Sequence, residues 1–131
     1  MEFMNNRRVW TACGVLLLAL AALRMNSWAQ EDLDSIKVCR DTQKVVFENT
    51  FVRVIDDVIP PGVFEPRHRH PHGLVIVLAE AQTETRTSPE SSWRNGLSKF
   101  GAVTWSEPTV HEVHNVGQSP THFIRIDVKT P

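Results

Sequence analysis

From residue 45 onward, short runs of β-branched and aromatic residues are cut at close intervals by proline, glycine and asparagine, and no segment keeps a helical period. Val45-Val46-Phe47 opens this region, and Phe51 to Ile59, dense in β-branched residues, predicts a strand that Pro60-Pro61-Gly62 stops. Leu74 to Leu78 is a continuous apolar run and predicts a strand buried on both faces. Polar and small residues alternate from Glu80 to Arg86. Ser88 to Ser92 reads as a loop, and Asn95-Gly96 as a turn that ends the excursion. Further strands are predicted over Phe100 to Trp105 and Val110 to Val116. A last one, over Thr121 to Val128, places Ile124, Ile126 and Val128 on one face and Phe123, Arg125 and Asp127 on the other. Many short strands with regular turn signals predict an all-β sandwich or barrel over residues 45–130.

The chain before that region has a different pattern. Arg7 and Arg8 precede an apolar run from Val9 to Leu23, and Ser27-Trp28-Ala29 supplies small residues where a signal peptidase reads. Residues 1–29 are expected to be a signal peptide cleaved after Ala29, sending the protein to the periplasm or out of the cell. An uncleaved anchor is the competing reading, for which a run of about 15 residues is short. Arg7-Arg8 also resembles a twin-arginine signal. Gln30 to Lys44 is polar and irregular and reads as a linker or loosely docked N-terminal arm.

Cleavage changes the charge and the cysteine count. It removes Arg7, Arg8, Arg24 and Glu2 from 14 basic and 15 acidic residues, leaving 11 and 14, a net charge of −3 with histidine neutral. A mildly acidic chain with no basic cluster argues against a nucleic-acid partner, and no membrane partner is expected once the signal is gone. Cys13 leaves with the signal, so Cys39 has no intramolecular disulfide partner and is read as incidental.

The candidate chemistry lies between Gly62 and Leu78. His68, His70 and His72 stand at alternate positions, and on an extended strand they share a face. Imidazoles on one rigid face are most of a site for a divalent metal; a row of solvated histidines is the other reading. His114, three residues from His111, is expected to point away from it. His122 is in phase with Ile124, Ile126 and Val128 and is expected inside as a hydrogen-bonded core residue. Glu65 is out of phase with the histidine row and would join it only if Pro66 bends the strand. Glu112 should face away from His111, which leaves no obvious general base beside the site.

Gly62, five residues, His68, Arg69 and His70, followed by Pro108 and by His111-Glu112-Val113-His114-Asn115, resemble the two motifs of the cupins, which are small β-barrels of jelly-roll type. The resemblance spans residues 45–129. It implies that His68, His70 and His111 converge inside the barrel on a divalent metal such as Fe, Mn, Ni, Cu or Zn. This sequence departs from the pattern at Leu74 and Val75, where a carboxylate ligand is usual, and at Val110, where glycine is usual. His72 could be a fourth ligand in place of that carboxylate. Three neutral imidazoles leave the charge of the ion uncompensated, which favours an anionic ligand in the open positions, and cupin thiol dioxygenases are similar in using three histidines. The expectation is therefore a metal-dependent, dioxygenase-like enzyme acting on a small anionic substrate. A non-catalytic periplasmic barrel that binds a small ligand or metal is the alternative, and a metal-free barrel is a third reading. The resemblance also makes a homodimer plausible.

Overall fold

The computed structural model describes residues 32–129. The signal peptide and its cleavage site, expected in residues 1–29, lie outside the described residues. Among the described residues no helix is long and apolar enough to cross a membrane.

Two antiparallel sheets form the domain. In the first, β1 (Gln43–Glu48), β2 (Val52–Ile59), β9 (Thr121–Val128), β4 (Gly73–Ala79) and β7 (Val103–Ser106) are neighbours in that order. In the second the order is β3 (Phe64–His70), β8 (Thr109–Asn115), β5 (Ala81–Arg86) and β6 (Arg94–Ser98). The turn into β3 uses Gly62 at φ 74°, a left-handed conformation that a side chain would strain. Asn115, fully buried at the end of β8, donates to the carbonyls of Ile59 (2.7 Å) and Ser119 (2.9 Å). It thereby ties the end of β2 to the turn after β8.

The segment expected as a loose arm is instead packed against β3. Asp34 caps a single helical turn, α1 (Ser35–Val38), by accepting from the Ile36 N–H at 3.1 Å. Leu33, Ser35, Cys39 and Gln43 are buried, and the Arg69 N–H donates to the Leu33 carbonyl at 2.7 Å. Four buried positions spaced along a polar stretch, two of them polar themselves, give no periodic signal, which is why composition alone suggested a linker. Asn95-Gly96 also differs from its expected turn. Both residues lie in β6, paired with Glu84 and Thr83 of β5, so cross-strand pairing overrides the local turn preference.

The inner face of β9 is largely polar and its outer face apolar, the reverse of the usual pattern. In β9, Thr121, Arg125 and Asp127 are buried, while His122, Ile124, Ile126 and Val128 are half-exposed. His122 therefore does not enter the barrel; its Nε2 meets Asp56 Oδ1 at 2.6 Å on the outside. Registers explain how the apolar face is accommodated. Phe47, Val54, Ile126, Leu74 and Trp105 are direct cross-strand partners in one row across all five strands. The next row joins Ile124, Ile76 and Val103. Side chains opposite one another on a face are within contact reach, so these rows stabilise the sheet from outside. For the same reason the run Leu74 to Leu78 is not buried on both faces, and of those five residues only Val77 is buried.

Candidate metal centre

β3 and β8 set the geometry of the centre. His68 lies directly opposite His111 in their register, and His70 is two residues further along β3 on the same face. The three rings come together edge to face, with centroids 4.6 Å apart for His68 and His111, 4.9 Å for His68 and His70, and 5.6 Å for His70 and His111. One ligand nitrogen from each falls within 4.8 Å of the other two. His68 and His70 are buried and His111 is half-buried.

A hydrogen bond orients the His68 ring, and a carboxylate stands beside that of His70. His68 Nδ1 is 2.7 Å from the Pro66 carbonyl, an acceptor only, so Nδ1 carries the hydrogen and the Nε2 lone pair is free. His70 Nδ1 lies 3.5 Å from Asp127 Oδ1. Asp127 is in turn held by Arg125 Nε at 2.6 Å, and Arg125 Nη2 donates to the Pro71 carbonyl at 2.8 Å. Contact with His70 and Arg125 outweighs the upward push of burial and keeps the Asp127 carboxyl below the usual range.

The donor set fits a divalent cation. His68 Nε2 and His111 Nε2 are buried with no hydrogen-bond partner, an arrangement that costs free energy unless something else binds there. Burial lowers His70 to about 4, and burial with the neighbouring imidazoles lowers His111 to about 3. Both rings are therefore neutral at physiological pH, the form that ligates a metal.

The structure does not bring His72 to this group. It sits in the turn between β3 and β4, because Pro71 ends the regular phase of the strand. There it stacks on Trp105 (centroids 5.9 Å, 23°), with Nδ1 3.0 Å from Glu107 Oε2. His114 faces outward beside Phe64, as its phase requires.

Three residues near the histidines were not recognised from sequence. Pairing jumps from Glu65–Val113 to His68–His111, so β3 carries one extra residue there, a bulge at Pro66-Arg67. The bulge turns Glu65 to the inner face, correcting the out-of-phase reading; it is 2% exposed, with Oε2 3.9 Å from His68 Nε2. Pro66 was the available signal, since a residue without an N–H suits a bulge. Cys39, read as incidental, is buried with Sγ 3.3 Å from His68 Nδ1. Burial and the nearby Glu65 and Asp57 charges push its thiol pKa up. Asp57 of β2 shares the Gln43 amide with Glu65, at 3.4 and 3.2 Å.

These groups open on a cavity of about 170 Å³ between the sheets. Ile59, Val75, Val113 and Phe123 form its apolar wall, and Asp57 and Arg125 are ionisable groups on it. A cavity of roughly 150 Å³ accommodates benzene, so the space suits a molecule of about six non-hydrogen atoms.

Burial and the Glu65 charge raise Asp57 to about 8, against 3.8 for a free aspartate. A carboxyl with a raised folded pKa contributes stability that is complete below its unfolded value and lost as pH rises through the folded one. In the presence of a chelator, stability is expected to fall between pH 4 and pH 8 and then level off. Asp57→Asn should flatten that slope in denaturant titrations across the range; an unchanged slope would remove Asp57 as its source.

No protein-family model matches the sequence, and no curated protein matches it. Solved structures do. A cupin domain from Bordetella pertussis Tohama I is 23% identical, with TM-score 0.61 over 67% of this chain and 92% of that one. A conserved protein with a double-stranded β-helix domain from Klebsiella pneumoniae is 22% identical, with TM-score 0.53 over 66% of this chain and 74% of that one. An RmlC-like cupin from Methanocaldococcus jannaschii is 14% identical, with TM-score 0.52 over 66% and 77%. The fold is the double-stranded β-helix of these cupin structures.

Proposed function

We propose that this chain is an exported, metal-dependent cupin enzyme, dioxygenase-like in type, that holds one divalent ion through His68, His70 and His111 and acts on a small anionic molecule in the cavity beside them. The observation that carries the reading is the convergence of three inward imidazoles, two of them with buried and unpartnered Nε2 atoms, on that cavity. Fe, Mn, Ni, Cu and Zn all suit imidazole ligands, and supply and geometry select among them. Such an ion polarises a bound group or lowers the pKa of bound water. The residues around it do the rest: Pro66 orients His68, Asp127 stands beside His70, and the apolar wall excludes water from the ligand. Arg125 and Asp127 offset each other, and Asp57, raised to about 8, is mostly uncharged at neutral pH, so the charge available to attract an anion is that of the ion less the contribution of Glu65. Export is supported by the charged, apolar and small-residue segments of residues 1–29.

One preparation tests both parts. Protein recovered from the periplasm without a histidine tag is expected to begin at Gln30 by mass spectrometry and to carry close to one equivalent of a single divalent metal by elemental analysis. A chain that begins at Met1 and fractionates with the cytoplasm would overturn export. Metal-free protein that also fails to take up Fe, Mn, Ni, Cu or Zn would overturn the metal reading.

A further inference from the structure

We propose that Glu65 binds the same cation as His68, His70 and His111, adding one carboxylate oxygen to three imidazole nitrogens. This rests on the metal reading above and assigns a residue that the strand phase alone would place outside the centre. The bulge at Pro66-Arg67 brings Glu65 onto the cavity wall, where its side chain is 2% exposed. Its two oxygens have different surroundings. Oε1 accepts from the Thr42 hydroxyl and, at 3.2 Å, from the Gln43 amide, both on the segment leading into β1. Oε2 is left facing His68 Nε2 at 3.9 Å.

That distance fits two donors of one ion. Donors each about 2.1 Å from a metal are about 3 Å apart at right angles and about 4.2 Å apart when opposite. Glu65 shares its 4.8 Å cluster with His68 and Cys39 rather than with all three imidazoles, so it approaches from the His68 side and its carboxylate must swing toward His70 and His111 to share the ion. Charge argues the same way. A carboxylate this buried is costly without a counter-charge, and Arg125, the guanidinium on the same wall, is engaged by Asp127. The other donor of that cluster is placed differently. Cys39 Sγ faces Nδ1, the rear nitrogen of His68, which the Pro66 carbonyl also engages. Cys39 thus supports the ring from behind, while Glu65 faces the nitrogen that binds.

The test is competitive titration of the full folded domain with Zn²⁺, together with the visible absorption of its Co²⁺ form. Glu65→Gln, which removes a charged donor, is expected to weaken Zn²⁺ binding by more than about 100-fold and to change the Co²⁺ bands, with His114→Ala, on the outer face of β8, close to the parent in both. Thr42→Val frees Oε1 without entering the cavity and should give a smaller loss in the same direction; it carries the test if Glu65→Gln does not fold. Parent affinity and spectrum in both Glu65→Gln and Thr42→Val would overturn the proposal and leave the three-histidine centre standing. Loss on Cys39→Ala alone would overturn it in favour of a thiolate donor. A parent protein that binds neither ion would overturn the metal reading itself, and this inference with it.

Discussion

His70→Ala is expected to cost the protein its divalent cation, with metal content falling from near one equivalent to near zero and affinity dropping by more than about 100-fold. That bound follows because outer-shell changes alone cost about 10–100-fold, and this substitution removes a donor. It also leaves Asp127 without the imidazole it faces, since only Arg125 remains beside it. His114→Ala is the matched control. His114 pairs with Phe64 on the outer face of the same β3–β8 ladder, so its loss should leave metal content unchanged. Elemental analysis of the two variants decides the matter, and equal losses from both would mean that the inner and outer faces of β8 have been exchanged. Thermal unfolding gives a second reading. A ligand at about 1,000 times its Kd stabilises by about 4 kcal/mol, so added metal should raise the melting temperature of the parent protein and not that of His70→Ala.

The second large effect is at Gly73, where no histidine is touched. A Cβ built there would lie 2.2 Å from the Ile126 carbonyl oxygen and 3.1 Å from its carbon. Both are backbone atoms of β9, which cannot turn aside as a side-chain tip can. Gly73→Ala must therefore push β4 from β9, and a loss of about 3 kcal/mol is expected from overpacking of this kind. Gly96→Ala is the control, because its nearest neighbour would be the Thr83 hydroxyl at an ordinary 3.6 Å. Urea midpoints for the two should differ clearly; equal midpoints would show that β4 and β9 separate at little cost. Gly73 pairs with Asp127, which faces His70, so the same substitution should also weaken metal binding.

The sequence made most strands readable because each is short, β-branched and bounded by proline or glycine. Phe51 to Ile59 and Val110 to Val116 match β2 and β8 to within a residue at each end. His68, His70 and His111 were legible as a group through alternation and through the motif resemblance, and the structure brings them together. The misreadings share a cause: local pattern was read without knowledge of which side is inside. In β9 the apolar face was taken as the core, so His122 was placed within and Arg125 and Asp127 were passed over. Glu65 was assigned by a strict period of two, which one extra residue at Pro66 breaks. Cys39 could not be connected to His68 from sequence, because 29 intervening residues carry no signal of their contact. His72 shared the phase of the row, but Pro71 ends the strand before it.

Among the described residues, seven hydrophobic side chains are buried against eleven polar or charged ones. Unfolding would hydrate both kinds, and their contributions to heat capacity have opposite signs. The apolar rows from Phe47 to Trp105 add little to the increment, since water already reaches much of them. The heat-capacity change of unfolding should therefore fall below the usual value of about 12–15 cal/mol/K per residue, giving a shallow stability curve. For a barrel built this way, temperature is a weak lever on folding, and occupancy of its polar interior is a strong one.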